Sequence, residues 1–234
     1  MVFNESLLFI HIPKAGGTSC TNYLCKHLAQ PSFSSSLQSQ TDDWLFNAKL
    51  LPGYSHETLS EAYAAHENTH RQSGIDVRAI PVILAVIRDP VTLELSTYNF
   101  YRNGANNVLQ AEAFRVPEVE ERIALARGEL KTFISNSGYF RTGFDGSVLR
   151  TEDYVTIDGE LPENLILLKM EYLDQHFTEF MRPFLGGEIH PFEQANVTAN
   201  PNKVTPDDLD AEAKEIIFHK HRWLYDQGYY ELPF

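Results

Sequence analysis

Residues 9–19 read Phe-Ile-His-Ile-Pro-Lys-Ala-Gly-Gly-Thr-Ser, and this stretch decides the fold. Leu7, Leu8, Phe9, Ile10 and Ile12 make Ser6 to Ile12 an apolar run interrupted only by His11, the pattern of a buried strand. Pro13 lacks an N–H and ends the ladder. Gly16 and Gly17 let peptide N–H groups approach a ligand with no Cβ in the way. From Thr18 the chain has helical character, with Tyr23, Leu24 and Leu28 near one face. A helix that opens beside a glycine turn directs unpaired N–H groups and the positive end of its dipole at an anion. Lys14, Ala15, Gly16, Gly17, Thr18 and Ser19 therefore form a candidate phosphate cradle.

A strand, a glycine turn and a helix can also occur with no ligand, so a second segment matters. Pro81 to Ile87 is another continuous apolar strand, and it runs straight into Arg88-Asp89-Pro90. Pro90 suits the first turn of a following helix. Arg88 stands at the C-terminal end of its strand, where open α/β sheets bind ligands. Ser96 follows eight residues later, and a guanidinium fork with a hydroxyl suits a phosphate monoester.

The nucleoside triphosphate P-loop places its lysine after the glycines, whereas Lys14 precedes them. That reversed order resembles the signature with which sulfotransferases hold the 5′-phosphosulfate of 3′-phosphoadenosine 5′-phosphosulfate (PAPS). The Arg88 segment resembles the element that holds the 3′-phosphate, and the resemblance assigns this role to Arg88 and Ser96. Within the superfamily the chain is similar to the heparan sulfate 2-O-sulfotransferase (sulfotransferase family 2) group, through Ile87-Arg88-Asp89-Pro90, Ser96-x-Tyr98 and Tyr101-Arg102-Asn103-Gly104. Relatives carry a basic residue soon after the Asp-Pro, where this chain has Thr92, Leu93 and Glu94. The resemblance further implies a nucleotide-closing loop near Asn196 to Lys203, with Lys203 at the 3′-phosphate. It also implies an acceptor-side cluster at Tyr139 to Gly143, although Arg141 there reads more readily as a surface arginine than as a group that binds an acidic acceptor.

Transfer to an alcohol needs a group that takes the hydroxyl proton. His66 is the sequence's candidate, because Tyr63-Ala64-Ala65-His66 stands 22 residues before Arg88, a layout similar to the family's histidine base. The family stretch has a second histidine where this chain has Ala64, so His66 acts alone or with Glu67 or His70. The same residues, His66-Glu67-Asn68-Thr69-His70, match the His-Glu-x-x-His pattern of zinc metallopeptidases. Zinc chemistry would leave the lysine-glycine loop and the Arg-Asp-Pro strand without a purpose. A nucleotide-binding protein without catalysis is the other alternative.

Composition sets outer limits. The chain has 234 residues, 43% of them hydrophobic, which suits a single domain over 1–234 with a sizeable core. Pro31 to Thr41, rich in Ser and Gln, reads as a mobile loop. The net charge of −13 argues against nucleic acid and heparin-like polymers, since neutralising a polyanion needs a basic surface. Cys20 and Cys25 lie five residues apart on the first helix, face different ways and read as free thiols in a reducing cytoplasm. The start of the chain has no basic leader, and no apolar run approaches the ~20 residues of a membrane helix.

The remaining apolar patterns predict helices over Pro117 to Ala126 and Leu130 to Ile134, a strand over Leu165 to Met170 and a core-facing helix over Tyr172 to Phe184. A C-terminal helix is predicted over Pro206 to Tyr225, with His219 and His221 as capping or surface groups. The expected fold is a single α/β domain with a mostly parallel central sheet flanked by helices, P-loop-like and PAPS-binding. The expected activity is in-line sulfuryl transfer from PAPS to a hydroxyl of a carbohydrate, lipid or small molecule, with no metal required. Oligomeric state is not encoded in any of these patterns.

Overall fold

A computed structural model of the protein describes residues 1–36, 44–65, 70–104, 117–136, 148–193 and 203–232. The chain divides into two compact units, Met1–Arg88 with Thr151–Thr198, and Asp89–Arg150 with Ala199–Phe234.

The first unit holds the sheet, whose strands are β1 (Val2–Phe3), β2 (Leu8–Ile10), β3 (Phe33–Ser36), β4 (Trp44–Leu45), β5 (Ala48–Pro52), β6 (Ile83–Ile87) and β7 (Leu165–Lys169). Their order is β4-β5-β3-β1-β2-β6-β7. Every residue of β2 and β6 is buried, which is what the two apolar runs demand of strands inside a sheet. β2–β6, β6–β7 and β3–β5 are parallel, while β1 pairs antiparallel with both β2 and β3, and β4 with β5. The sheet is therefore mixed, and its parallel ladders include the three strands that the apolar runs marked out. β1 enters antiparallel because Asn4 folds a tight turn: its N–H donates to Leu7 O at 3.0 Å, and its Oδ1 accepts from the N–H groups of Ser6 and Leu7.

Among the described residues the α-helices are α1 (Gly17–His27), α2 (Leu59–Ala65), α3 (Pro90–Asn99), α4 (Pro117–Ala126), α5 (Leu130–Asn136), α6 (Leu173–Met181), α7 (Ala211–Lys220) and α8 (Arg222–Asp226). None of them is long and apolar enough to cross a membrane. In the first unit, α6 buries Leu173, Phe177 and Met181 at helical spacing. The segment after α6 then runs back along α1, with Gly186 N–H on His27 O at 3.1 Å and the Tyr23 hydroxyl on His190 O at 3.0 Å. Cys20 and Cys25 are both buried free thiols, and burial pushes the Cys25 thiol up to about 11.

Two sequence expectations are corrected. Residues 33–36 of the supposed mobile loop are β3, and Ser34 and Ser35 are buried there. Their hydroxyls donate to Met1 O and to Glu57 Oε2, so a serine-rich strand sits inside with its polar atoms satisfied. The single C-terminal helix is a 3₁₀ turn at Pro206–Asp208 followed by α7 and α8, with Asp210 capping α7 through the Ala213 N–H.

The second unit is helical. Val91, Leu95 and Tyr98 of α3, Ile123 of α4, Phe133 of α5 and Ile217 of α7 form its buried cluster. Asp89 caps α3 by accepting the Thr92 N–H at 2.9 Å, with Pro90 at the first position. Asp89 and Pro90 are thus the start signal of a helix.

Candidate anion-binding site

β2 and β6 run parallel in register, Ile10 opposite Ala85, so the chain leaves both strands at the same sheet edge. From β2 emerges the lysine-glycine loop, and from β6 emerges Arg88. Arg88 Nη1 donates to Lys14 O at 2.9 Å, across 74 positions of sequence. The two cationic segments singled out by sequence are therefore joined by a direct hydrogen bond. Lys14 is half-buried and its pKa is lowered to about 8, first by burial and then by the Arg88 charge. Bringing two cations together and partly removing them from water is unfavourable in itself, and an anion placed there relieves it.

The loop geometry follows from its glycines. Gly16 is the N-cap of α1 with φ 80°, a left-handed conformation that disfavours side chains, and its O accepts the first helical bonds from Ser19 and Cys20 N–H. Gly17 is required for space: a Cβ there would lie 1.8 Å from His11 Cδ2. The N–H groups of the first turn, Gly17 and Thr18 among them, precede the intrahelical ladder. Ala15 and Ser19 are buried and Thr18 is exposed. Lys14 itself takes φ 62°, in the left-handed region. Behind the loop, Gly16 approaches Met170 and Leu173, so the end of β7 and the start of α6 form its rear wall. A cavity of about 480 Å³ opens beside Ser19 and continues along α1 past Asn22 and Lys26 to Glu193.

His11 and His56 lie under this loop. The buried His11 ring lies against Gly17, and its pKa is held well below the ordinary value, chiefly by burial and then by His56, the amino terminus and Lys14. His56 meets the His11 ring edge-on at 4.2 Å, and its Nδ1 is 3.0 Å from His11 O. Sequence reasoning missed His56. The signal for it was the joint around it: Gly53 after a strand, then the Thr58-x-x-Glu61 capping box that opens α2, with Thr58 N–H on Glu61 Oε2 and Glu61 N–H on Thr58 Oγ1.

The other expected site residues are distributed as follows. Ser96 is half-buried on α3 and Lys203 is exposed beside Val204, which Asn99 pins through two hydrogen bonds; both belong to the second unit. His66, Glu67 and Arg141 lie outside the described residues. His70 is fully buried, opens a 3₁₀ turn, stacks on Phe3 and lies 3.6 Å from Glu57 Oε2. Those surroundings suit a packed core histidine rather than a zinc ligand that must face substrate.

Glu94 and His221 meet inside the second unit. Glu94, standing where relatives have a basic residue, is buried on α3 and accepts from Lys220 Nζ at 2.7 Å and His221 Nε2 at 2.8 Å. His221 stands at the C-cap of α7, one of the two roles expected of it, and at 1% exposure it is not a surface group. Burial alone would raise the Glu94 pKa, but Lys220 and then His221 hold it at about 2.

No family model matches the chain, and no curated protein matches it. Among solved structures, the chain is similar to mouse sulfotransferase SULT7A1 complexed with PAP, at a TM-score of 0.43 and 12% identity, over 96% of this chain and 83% of that one.

Proposed function

We propose that this protein is a PAPS-dependent sulfotransferase that moves a sulfuryl group to a hydroxyl of a carbohydrate, lipid or small molecule. The Arg88–Lys14 hydrogen bond carries the reading, because it gathers two cations and a glycine-opened helix start at one sheet edge. In this reading Lys14 and the peptide N–H groups of Gly16, Gly17 and Thr18 take the 5′-phosphosulfate. They stabilise the negative charge that builds on the bridging oxygen as the sulfuryl group leaves in line. Arg88 is assigned to the 3′-phosphate, which a guanidinium fork suits. The sequence resemblance assigns Ser96 and Lys203 to that phosphate as well. The cavity beside Ser19 offers room for the rest of the nucleotide. Phosphate recognition orients the donor, while the chemistry itself needs a group that accepts the hydroxyl proton. Two buried free thiols fit residence in the cytoplasm.

Calorimetric titration with 3′-phosphoadenosine 5′-phosphate (PAP) tests this without knowledge of the acceptor. The wild type binds it, and Lys14→Ala weakens binding by roughly tenfold to hundredfold, the worth of one charge-assisted hydrogen bond. A wild type that does not bind PAP overturns the reading. Stoichiometric zinc in the purified protein would point to the peptidase instead.

A further inference from the structure

We propose that His11 is the positioning residue of the anion cradle, fixing where the Gly17 and Thr18 N–H groups meet the 5′-phosphosulfate; this inference rests on the sulfotransferase reading. The sequence marks the position first. Leu8, Phe9, Ile10 and Ile12 flank His11, so a single imidazole interrupts an apolar run. It does so inside the protein, at 7% exposure. Burying a polar ring is costly where an aliphatic side chain would serve the core. Burial is also the chief cause that holds its pKa well below the ordinary value, so the ring is neutral and adds no charge of its own to the cradle.

What the ring supplies is shape. Its Cδ2–Nε2 edge fills the place that a side chain on Gly17 would take, with Cδ2 1.8 Å and Nε2 2.2 Å from a Cβ built there. Its Nδ1 stands 3.4 Å from Thr21 Oγ1, four residues further along α1. Residues four apart share one face of a helix, so the ring bears on the whole first turn of α1 rather than on one atom. His56 holds both the ring and the backbone of His11, edge-on at 4.2 Å and with Nδ1 3.0 Å from the carbonyl oxygen.

Gly16 meets a different wall. Leu173 Cδ1 and Met170 Cγ lie 3.3 and 3.4 Å from a Cβ built on it. The two glycines are thus gripped by separate elements, one by the residue that follows β2 and the other by the start of α6. Close-packed interiors transmit the displacement of such a wall rather than absorb it. The N–H groups that open α1 move with this backbone, and short charge-assisted hydrogen bonds weaken steeply as their geometry is lost.

Displacement titrations with PAP, adenosine 5′-phosphate and adenosine 3′-phosphate separate a positioned cradle from a weakened fold, because only the first two carry the 5′-phosphate. In His11→Ala, which withdraws the ring, affinity for PAP and for adenosine 5′-phosphate is expected to fall by about tenfold or more, while adenosine 3′-phosphate stays within about threefold of wild type. His11→Gln, whose planar amide still reaches Gly17, is expected to recover PAP affinity to within about threefold of wild type. If His11→Ala does not fold, as judged by near-UV circular dichroism, His11→Val keeps the strand apolar and carries the same expectation. The inference is overturned by PAP affinity within threefold of wild type in the folded ring-less variant, by an equal loss for all three ligands, or by a His11→Gln that binds as weakly as that variant. A wild type that fails to bind PAP removes the underlying reading instead.

Discussion

Lys14 and Arg88 in the first unit, and Lys220 and His221 in the second, are both pairs of basic residues brought together by folding, and they are treated oppositely. In the second unit the pair converges on one buried carboxylate, whose pKa falls to about 2. In the first unit burial and then the Arg88 charge depress Lys14, whose pKa falls to about 8. One arrangement satisfies its charges internally and holds helices together. The other sets two like charges side by side, an arrangement that the proposed anionic ligand would suit. A chain of net charge −13 can thus build a local positive site without changing its overall field, because the site is made of short-range contacts.

The contrast can be broken from either side. Glu94→Gln should have the largest effect, about 3 kcal/mol of lost stability, because it leaves Lys220 and His221 facing a neutral partner. Thermal unfolding reads this as a fall of roughly 6–12 °C, with PAP affinity unchanged; an unaffected melting temperature would show that the buried carboxylate holds nothing together. The sign with pH is consistent: Glu94 is depressed, so its stabilisation is present above the ordinary carboxylate range and is lost as pH falls through about 2.

Next comes Gly17→Ala, whose Cβ would drive into the His11 ring. A cost of about 2 kcal/mol is expected, together with weaker PAP binding. The double variant Gly17→Ala/His11→Ala should be less destabilised than the two single changes added together, since loss of the ring removes the clash and the new methyl group fills part of the space left. Simple additivity in denaturant unfolding would refute this packing account.

The smallest effect sharpens the comparison. Lys14 grips an anion as the ammonium, and with a pKa of about 8 in the free protein it loses that charge as pH rises. A bound anion raises the Lys14 pKa, so binding takes up a proton above pH 8, and PAP affinity should fall there by up to about tenfold per unit. Titrations at pH 7, 8 and 9 should show this slope in the wild type and none of it in Lys14→Ala.

What could be read from sequence was what depends on continuous apolar runs and backbone chemistry. β2 and β6 are unbroken hydrophobic segments, β7 is one up to Lys169, and Pro13, Gly16, Gly17 and Pro90 announce where strands stop and helices start. What escaped depends on partners far along the chain. β3 looks like a polar loop because its buried hydroxyls are satisfied by Met1 and Glu57. His221 looks like a solvated helix end until Glu94, 127 positions away, is folded against it. His56 was passed over because no motif marks it, and its interest arises only where the His11 carbonyl and ring meet it.

The left-handed backbone of Lys14 has a consequence of its own. Glycine would adopt φ 62° without strain, whereas a lysine there costs on the order of 1 kcal/mol. Lys14→Gly and Lys14→Ala therefore separate two properties that the wild type combines, since both delete the ammonium but only the first relaxes the peptide. A protein selected for robustness alone would keep glycine at this corner. The chain instead tolerates a locally uncomfortable bend in order to hold a positive charge at the mouth of the helix.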